Sequence, residues 1–328
     1  MIVVTGANGL LGSFVIRRLL EAQEPFIALK RKNSDISLLK DIAGQVTWKD
    51  IDILDAEATF DALKDASKVI HCAALVSFNP RDKKKLHEVN VVGTRNVVNS
   101  CIANRVQRLV HVSSIGAIGR QKNVLEADEN EKWTVSNLNT DYGESKYLAE
   151  LEVMRGREEG LDVVIVNPSV ILGPGTPGRS SARIFTYVWK ERRFYMEGKI
   201  NYVSATDTAE IIYRLLTEGR SGERFIASAG MVQLGWLMER IALNFGKRPP
   251  SIRLSTKLLT VLAWAERLRS GLSGGQPLVT RESVRSLSSP VHFTNAKVKK
   301  ALNFEFQSID KTLEWCCETY AGQLRVKK

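Results

Sequence analysis

The chain has little from which covalent or metal cross-links could be made. Only four of its 328 residues are cysteine. They are Cys72, Cys101, Cys316 and Cys317, two of them adjacent and none at metal-site spacing. That suits neither a disulfide framework nor a zinc site. Reduced thiols in a cytoplasmic protein without bound metal are expected. No apolar run has the length of a membrane-spanning helix, and no signal-peptide pattern precedes the first strand. Internal repeats and low-complexity tracts are absent. No large block of one charge occurs either. The net charge of +11 is spread along the chain, with one compact run at Lys83-Lys84-Lys85. A generally basic surface is expected, with no nucleic-acid partner and no stable membrane association. With 44% hydrophobic and 25% charged residues, the composition is that of a soluble globular protein. Its length allows one large domain or two lobes.

What is present begins at the first residue. Met1-Ile2-Val3-Val4-Thr5 is a short apolar, β-branched run, and Gly6-Ala7-Asn8-Gly9-Leu10-Leu11-Gly12 follows at once. Residues 13–20 then read as a helix. A strand, a tight glycine turn and a helix N-terminus suit a pyrophosphate. Backbone N–H groups and the helix dipole favour the anion, and missing Cβ atoms allow close approach. Gly6, Asn8, Gly9, Leu10, Leu11 and Gly12 are therefore candidate cofactor-binding residues. The spacing is Gly-x-x-Gly-x-x-Gly, not the G-x-G-x-x-G of most dehydrogenases.

Strand-like runs recur at 26–29, 46–48, 68–71, 108–113 and 163–167, separated by helical spacing at 56–63, 85–103 and 141–157. Alternation of this kind implies a parallel sheet with helices on both faces. Right-handed crossovers make it doubly wound. After Leu172 the character changes at Gly173-Pro174-Gly175-Thr176-Pro177-Gly178, a loop by composition. The expected fold is α/β, a doubly wound parallel sheet (Rossmann) with a smaller C-terminal substrate-binding lobe. Residues 1–170 are expected to form the dinucleotide-binding domain, with a returning segment near 201–228. Residues 171–200 and 229–328 mainly form the lobe. The most apolar helical stretch there, 254–272, is expected to pack on the lobe, not on a membrane.

The second strand addresses cofactor choice. A carboxylate at its end would bind ribose hydroxyls, whereas a cation accommodates a 2′-phosphate. Here Lys30-Arg31-Lys32-Asn33-Ser34 precede the first acid, Asp35. Arg31 can grip a phosphate bidentately and Ser34 can add a hydroxyl. NADP is expected, with NAD the alternative. Asp52 follows the third strand and can accept from the adenine amino group, with Ile53 packing on the ring. Asp55 reads as a helix N-cap. Ala73 and Ala74 leave room for an extended ligand at the end of the fourth strand, and His71 reads as a packed core residue.

Tyr142-Gly143-Glu144-Ser145-Lys146 carries the chemistry. On a helix, positions i and i+4 share a face. The cation is expected to lower a phenol pKa that is ordinarily about 10, so that Tyr142 exchanges protons near neutrality. Ser113-Ser114 ends the strand at 108–113, where open sheets place ligands.

With these pieces the chain resembles the extended short-chain dehydrogenase/reductases, the NAD-dependent epimerase/dehydratase family. Within it the chain is most similar to dihydroflavonol 4-reductase-like and 3β-hydroxysteroid dehydrogenase-like reductases. The resemblance rests on residues 5–12, Asp52-Ile53, His71-Cys72-Ala73-Ala74, Asn90-Val91-Val92-Gly93-Thr94, Ser113-Ser114, Tyr142 to Lys146 and Asn167-Pro168-Ser169-Val170. It continues more loosely through 202–209 and 293–320. It implies Gly6, Gly9 and Gly12 at the pyrophosphate, Arg31 at the 2′-phosphate, and Asp52 and Ile53 at adenine. It further implies Ser114, Tyr142 and Lys146 as catalytic residues, Lys146 also on the nicotinamide ribose, and Pro168 and Val170 along the nicotinamide. Two departures stand out. Asn167 replaces a frequent Arg, and Glu197-Gly198-Lys199-Ile200 lacks the Arg usual in nucleotide-sugar epimerases. Phe78, Trp133, Phe185, Tyr187, Trp189 and Phe194 suit an apolar or ring-containing substrate.

The function expected is NADP-dependent interconversion of a ketone or aldehyde and an alcohol, with a small-molecule substrate and a homodimer as the assembly to test. A nucleotide-sugar epimerase or dehydratase retaining its NAD(P), and a non-catalytic NADP(H) sensor, are the alternatives.

Overall fold

The computed structural model describes residues 1–119, 124–136, 138–255, 258 and 291–325. Seven parallel strands form its main sheet. They are β1 (Ile2–Thr5), β2 (Phe26–Lys30), β3 (Trp48–Asp50), β4 (Lys68–His71), β5 (Arg108–Val112), β7 (Val163–Pro168) and β11 (Arg224–Ala227). Their order is β11-β7-β5-β4-β1-β2-β3, with parallel register throughout. This is the expected Rossmann sheet. β1 and β7 are buried along their whole length. That is why the strands read as continuous apolar runs and not as alternating ones.

Successive residues feed opposite faces. Ile2, Val4, Val110 and Val164 join α1 (Leu10–Glu21) and the later α7 (Ala205–Arg214) in one core layer. Val3, Val69, Leu109 and Val163 join α2 (Ala56–Ala62), α4 (Gly93–Ala103) and α5 (Asp141–Glu158) in the other. Asp55 caps α2, its side chain accepting from Ala58 N at 3.0 Å. His71 is fully buried, with its ring nitrogens against Thr5 Oγ1 at 2.7 Å and Thr94 Oγ1 at 3.0 Å.

A second assembly follows. β8 (Val170–Leu172), β10 (Lys199–Ser204) and β12 (Gly230–Gln233) make a three-stranded sheet in the order β12-β10-β8. It packs with α6 (Ala182–Trp189), α8 (Leu234–Phe245) and the last helix, α10 (Ile309–Arg325), around Leu172, Phe185, Leu237, Ile241, Leu313 and Tyr320. Short pairs join β9 (Phe194–Met196) to β13 (Ile252–Leu254) and β6 (Glu126–Ala127) to β14 (His292–Phe293). The helix α9 (Ala296–Leu302) buries Val298 and Leu302 in the main core.

Three local expectations need correction. The third strand is Trp48–Asp50, not 46–48, because the 3-10 helix Ser37–Gln45 leads up to it and pairing with β2 begins at Ala28↔Trp48. The helical run expected at 85–103 starts earlier, as α3 (Lys83–Leu86), and is interrupted by a π-turn at His87–Val92. Such an insertion rotates side chains out of α-register, and it turns Asn90 fully inward. Leu254 closes a strand instead of opening a helix. Apart from Leu254, Ser255 and Leu258, the stretch 254–272 lies outside the described residues.

Candidate active site

The glycine turn is built by its own packing at two positions and not at the third. Gly6 has φ +65°, and a Cβ on it would lie 2.6 Å from Ala73 Cα. On Gly12 a Cβ would lie 2.2 Å from Gly6 O. Both residues must therefore be bare for the turn to close on β4 and for α1 to close on the turn. Gly9 is exposed, and its Cβ would meet Gly6 O at 3.3 Å. Its bareness serves the outer side. Gly9 is also the N-cap of α1, and no side chain caps that helix. Open N–H groups, a dipole and a bare backbone there can hold a phosphate group.

Around this turn the sheet gathers the other candidates. Leu10 begins α1, and Leu11 lies in the core. Asn8 Nδ2 donates to Asp35 O at 3.1 Å, tying the turn to the segment after β2. Asn33 takes φ +59° and Ser34 N donates to Arg31 O at 3.0 Å, so Arg31 and Ser34 sit on one tight turn. Lys30 is engaged by Asp50. Arg31 is exposed and pairs with no carboxylate among the described residues. Asp52 is exposed, its Oδ1 accepting from Leu54 N at 3.1 Å. Ile53 is buried, directly beside Gly93, so its side chain faces the core. Ala73 is held to β1, its N–H donating to Thr5 Oγ1 at 3.2 Å. Ala74 beside it is exposed. Pro168 ends β7 and Val170 opens β8.

The chemical groups meet one strand further along. Ser114 is extended and caps the 3-10 turn Ile115–Ala117, its Oγ accepting from Gly116 N at 3.1 Å. Thr140 caps α5, accepting from Gly143 N at 2.9 Å. A Cβ on Gly143 would stand 2.6 Å from Gly116 O. That glycine lets the first turn of α5 press onto the Ser114 turn. The Ser114 side chain reaches the Tyr142 phenol there and favours its ionised form. Lys146, one turn on, is fully buried, and its Nζ donates to Val112 O at 2.8 Å.

The electrostatics correct one expectation. Burial pushes the Tyr142 phenol up to about 12, against the hydrogen bond from Ser114. Burial pushes Lys146 down to about 8, against the Glu150 carboxylate. The expected lowering of the phenol is not found. Lys146 donates a hydrogen bond to the Val112 carbonyl, and desolvation of the phenolate dominates. Tyr142 is held as a neutral acid, suited to donating a proton to a developing oxyanion.

Phe78 meets the Tyr142 ring edge-on, centroids 6.0 Å apart, and is 40% exposed, so it can flank a substrate. Trp133 stacks on Tyr147. Phe185 lies in the core against Tyr320, Trp189 meets Phe245, and Tyr187 donates to Phe194 O. Four groups at the site were given no role there by the sequence. Asn90 exchanges hydrogen bonds with Leu75 and donates to Ser145 Oγ at 2.9 Å, which in turn donates to Tyr142 O. Glu150 and Arg224 lie behind Lys146. Tyr320 bridges Gly173 O and Gly175 N at 2.9 and 2.8 Å, in a loop that packs on Leu10. For Glu150 the i, i+4 spacing from Lys146 was an available signal. For Tyr320 there was none.

A model described as the NAD dependent epimerase/dehydratase family matches residues 2–227. The chain belongs to this family. It is an enzyme of the extended short-chain dehydrogenase/reductase type. Among its relatives is sterol demethylase protein B of Methylococcus capsulatus, 31% identical over 265 residues, 80% of this chain and 79% of that one. The decarboxylating sterol-4-alpha-carboxylate 3-dehydrogenase of Schizosaccharomyces pombe is 26% identical over 95% of this chain and 96% of its own. The UDP-glucose 4-epimerase of Thermotoga maritima shares the fold. It has a TM-score of 0.81 at 19% identity, over 98% of this chain and 99% of that one. Among the described residues no group of three or more His, Cys, Asp or Glu is placed to hold a metal, and no helix is long and apolar enough to cross a membrane.

Proposed function

We propose that this family member is an NADP-dependent oxidoreductase that interconverts a ketone or aldehyde and an alcohol. The observation that carries the reading is the first turn of α5, with Tyr142, pressed onto the Ser114 turn beside a buried Lys146, at the strand ends that also bear the glycine turn. A bound nicotinamide would supply or accept the hydride. The chain would do the rest. Gly6, Gly9 and Gly12 with the α1 N-terminus hold the pyrophosphate, Arg31 and Ser34 the 2′-phosphate, and Asp52 and the Ile53 backbone the adenine. Ala73, Ala74, Pro168 and Val170 line the path to the reacting end. Ser114 orients the substrate oxygen. Tyr142 donates its proton to that oxygen during reduction and recovers one during oxidation. Lys146 holds a positive charge beside both. Residues 1–170 with 201–228 carry the cofactor, and 171–200 with 229–328 shape the substrate lobe.

The substrate class is apolar and ring-containing. Phe78 at Tyr142 supports this, as do the sterol-directed names of two relatives. The stretch Glu197-Gly198-Lys199-Ile200 carries no Arg of its own, and its Glu197 pairs with Arg253. A panel of ring-containing ketones, aldehydes and alcohols, followed by NADPH absorbance, tests the reading. Turnover of at least one class with consumption of NADPH is expected. Nicotinamide binding without turnover across the panel would refute it.

A further inference from the structure

The face of α5 that carries Tyr142 and Lys146 continues to Glu150, again four residues on. Glu150 is 3% exposed. A buried carboxylate is costly unless its charge and oxygens are engaged. Both oxygens of Glu150 are. Oε1 accepts from Asn167 Nδ2 at 2.6 Å, and Oε2 lies 3.4 Å from Arg224 Nη1. The same Asn167 Nδ2 donates to the Ser114 carbonyl at 2.9 Å. Asn167 is on β7, between β5 and β11, and is itself fully buried. One carboxylate therefore stands behind both the lysine and the strand end that bears the serine.

We propose that Glu150 is the positioning residue of this site, keeping the Lys146 side chain cationic in dry surroundings and, through Asn167, fixing the main chain that presents Ser114. The inference rests on the roles given above to Lys146 and Ser114. The groups around Lys146 leave Glu150 as its anion. Tyr142 on the same helix is a neutral phenol. His71 on β4, pushed down to about 3, and His111 on β5, pushed well below its ordinary value, are neutral because they are buried. The Cys72 thiol is pushed up to about 12 by burial and stays protonated. Burial pushes the Glu150 carboxyl up from its ordinary value, and Arg224 from β11, Asn167 and Lys146 itself act against that, favouring the ionised form. Without such an anion, a buried ammonium loses its proton near neutrality.

The test reads the lysine directly. The full chain is labelled with 13Cε-lysine, and the Lys146 resonance is assigned by its loss in Lys146→Arg. Its titration midpoint should lie near 8 in the unaltered protein. Glu150→Gln keeps an acceptor for Asn167 but removes the charge. It should lower the midpoint by about one pH unit, the scale of a unit charge one helical turn away. Glu150→Asp should leave the midpoint in place. Asn167→Leu should also leave it, while lowering turnover through Ser114. An unmoved midpoint in Glu150→Gln overturns the proposal. If that variant does not fold, the Glu150 13Cδ resonance of the unaltered chain decides. A carboxyl still protonated at neutral pH refutes the proposal, and an ionised one supports it. Tyr142→Phe with retained turnover would defeat the reading of the site while moving neither midpoint, so the two failures are distinguishable.

Discussion

Replacing Tyr142 by phenylalanine separates the chemical role of this residue from its structural one. The ring and its edge-on contact with Phe78 at 6.0 Å remain. What is lost is the hydroxyl and whatever it shares with the Ser114 side chain, at most one neutral hydrogen bond. A single neutral hydrogen bond contributes about 1 kcal/mol. For a chain of this size, that lowers the melting temperature by about 1–2 °C. The proton is another matter. A positioned general acid contributes about 10²–10⁴-fold, or about 2.7–5.5 kcal/mol of barrier. Catalytic loss should therefore exceed structural loss several-fold. With the phenol pushed up to about 12, the donor is present at any ordinary assay pH, so the loss should not depend on pH there. The assay is NADPH consumption with the best carbonyl substrate of the panel, run beside a cofactor titration and a thermal melt. Turnover should collapse while NADPH affinity and melting change little. A Tyr142→Phe protein that keeps most of its carbonyl-reducing activity would refute the assignment.

Other substitutions probe the rest of the site. Arg31→Ala should weaken NADPH about 10–100-fold, the worth of a charge-assisted contact, and leave NADH nearly untouched. Equal affinity for both cofactors in the unaltered chain would defeat the NADP reading. Gly12→Ala puts a methyl 2.2 Å from Gly6 O and should cost both stability and cofactor binding. Gly9→Ala meets only a 3.3 Å contact and should melt normally while binding NADPH at least about tenfold more weakly. Normal binding would show that Gly9 faces no phosphate. Lys146→Met should raise the stability of the cofactor-free chain while abolishing turnover. The folded chain holds this proton with a pKa of about 8 against an ordinary 10.5. The penalty is thus fully present below pH 8 and fades as pH rises from 8 to 10.5. After loss of the Val112 hydrogen bond, made by a charged donor, a gain on the order of 0.5–2 kcal/mol is expected in a urea melt at neutral pH. A less stable Lys146→Met would contradict the assigned burial cost.

What could be read from the sequence was local. A strand, glycine turn and helix occupy consecutive residues, so Gly6, Gly9 and Gly12 announced the cradle. Tyr142 and Lys146 share a helix face by spacing alone, and Ser114 follows a strand whose apolar run was plain. What could not be read depends on contacts between distant segments. The acidity of Tyr142 is set by desolvation, which follows from Gly143 closing on Gly116 and from Val112 O capturing the lysine. Neither partner is visible from the motif. The π-turn at His87–Val92 leaves no period of its own, yet it points Asn90 at Ser145. Phe185 and Trp189 looked like pocket aromatics but pack on Tyr320 and Phe245. Composition cannot tell a ring facing a cavity from one facing a core.

The two shifts at the centre of the site fix which proton leaves first. Burial disfavours charge on both groups, so it makes tyrosine a weaker acid and the lysine ammonium a stronger one. With values of about 12 and about 8, the ordinary near-equality is opened by burial, and Lys146 deprotonates first. Reduction needs the phenol protonated and the lysine charged. The phenol condition holds throughout the working range, so the lysine alone sets the alkaline limit. The kcat/KM for carbonyl reduction, which reports the free enzyme, should therefore fall as pH rises through about 8. A limb there also distinguishes this arrangement from one in which the cation has made the phenol the stronger acid. That arrangement would lose its acid first, and Tyr142, not Lys146, would carry the limb. Measuring kcat/KM against pH at constant ionic strength, beside the Lys146 midpoint by NMR, decides between them. Coincidence of limb and midpoint supports the lysine. An alkaline limb displaced from the Lys146 midpoint, or a profile flat well beyond it, would show that its charge is not required and would remove Lys146 from the proposed mechanism.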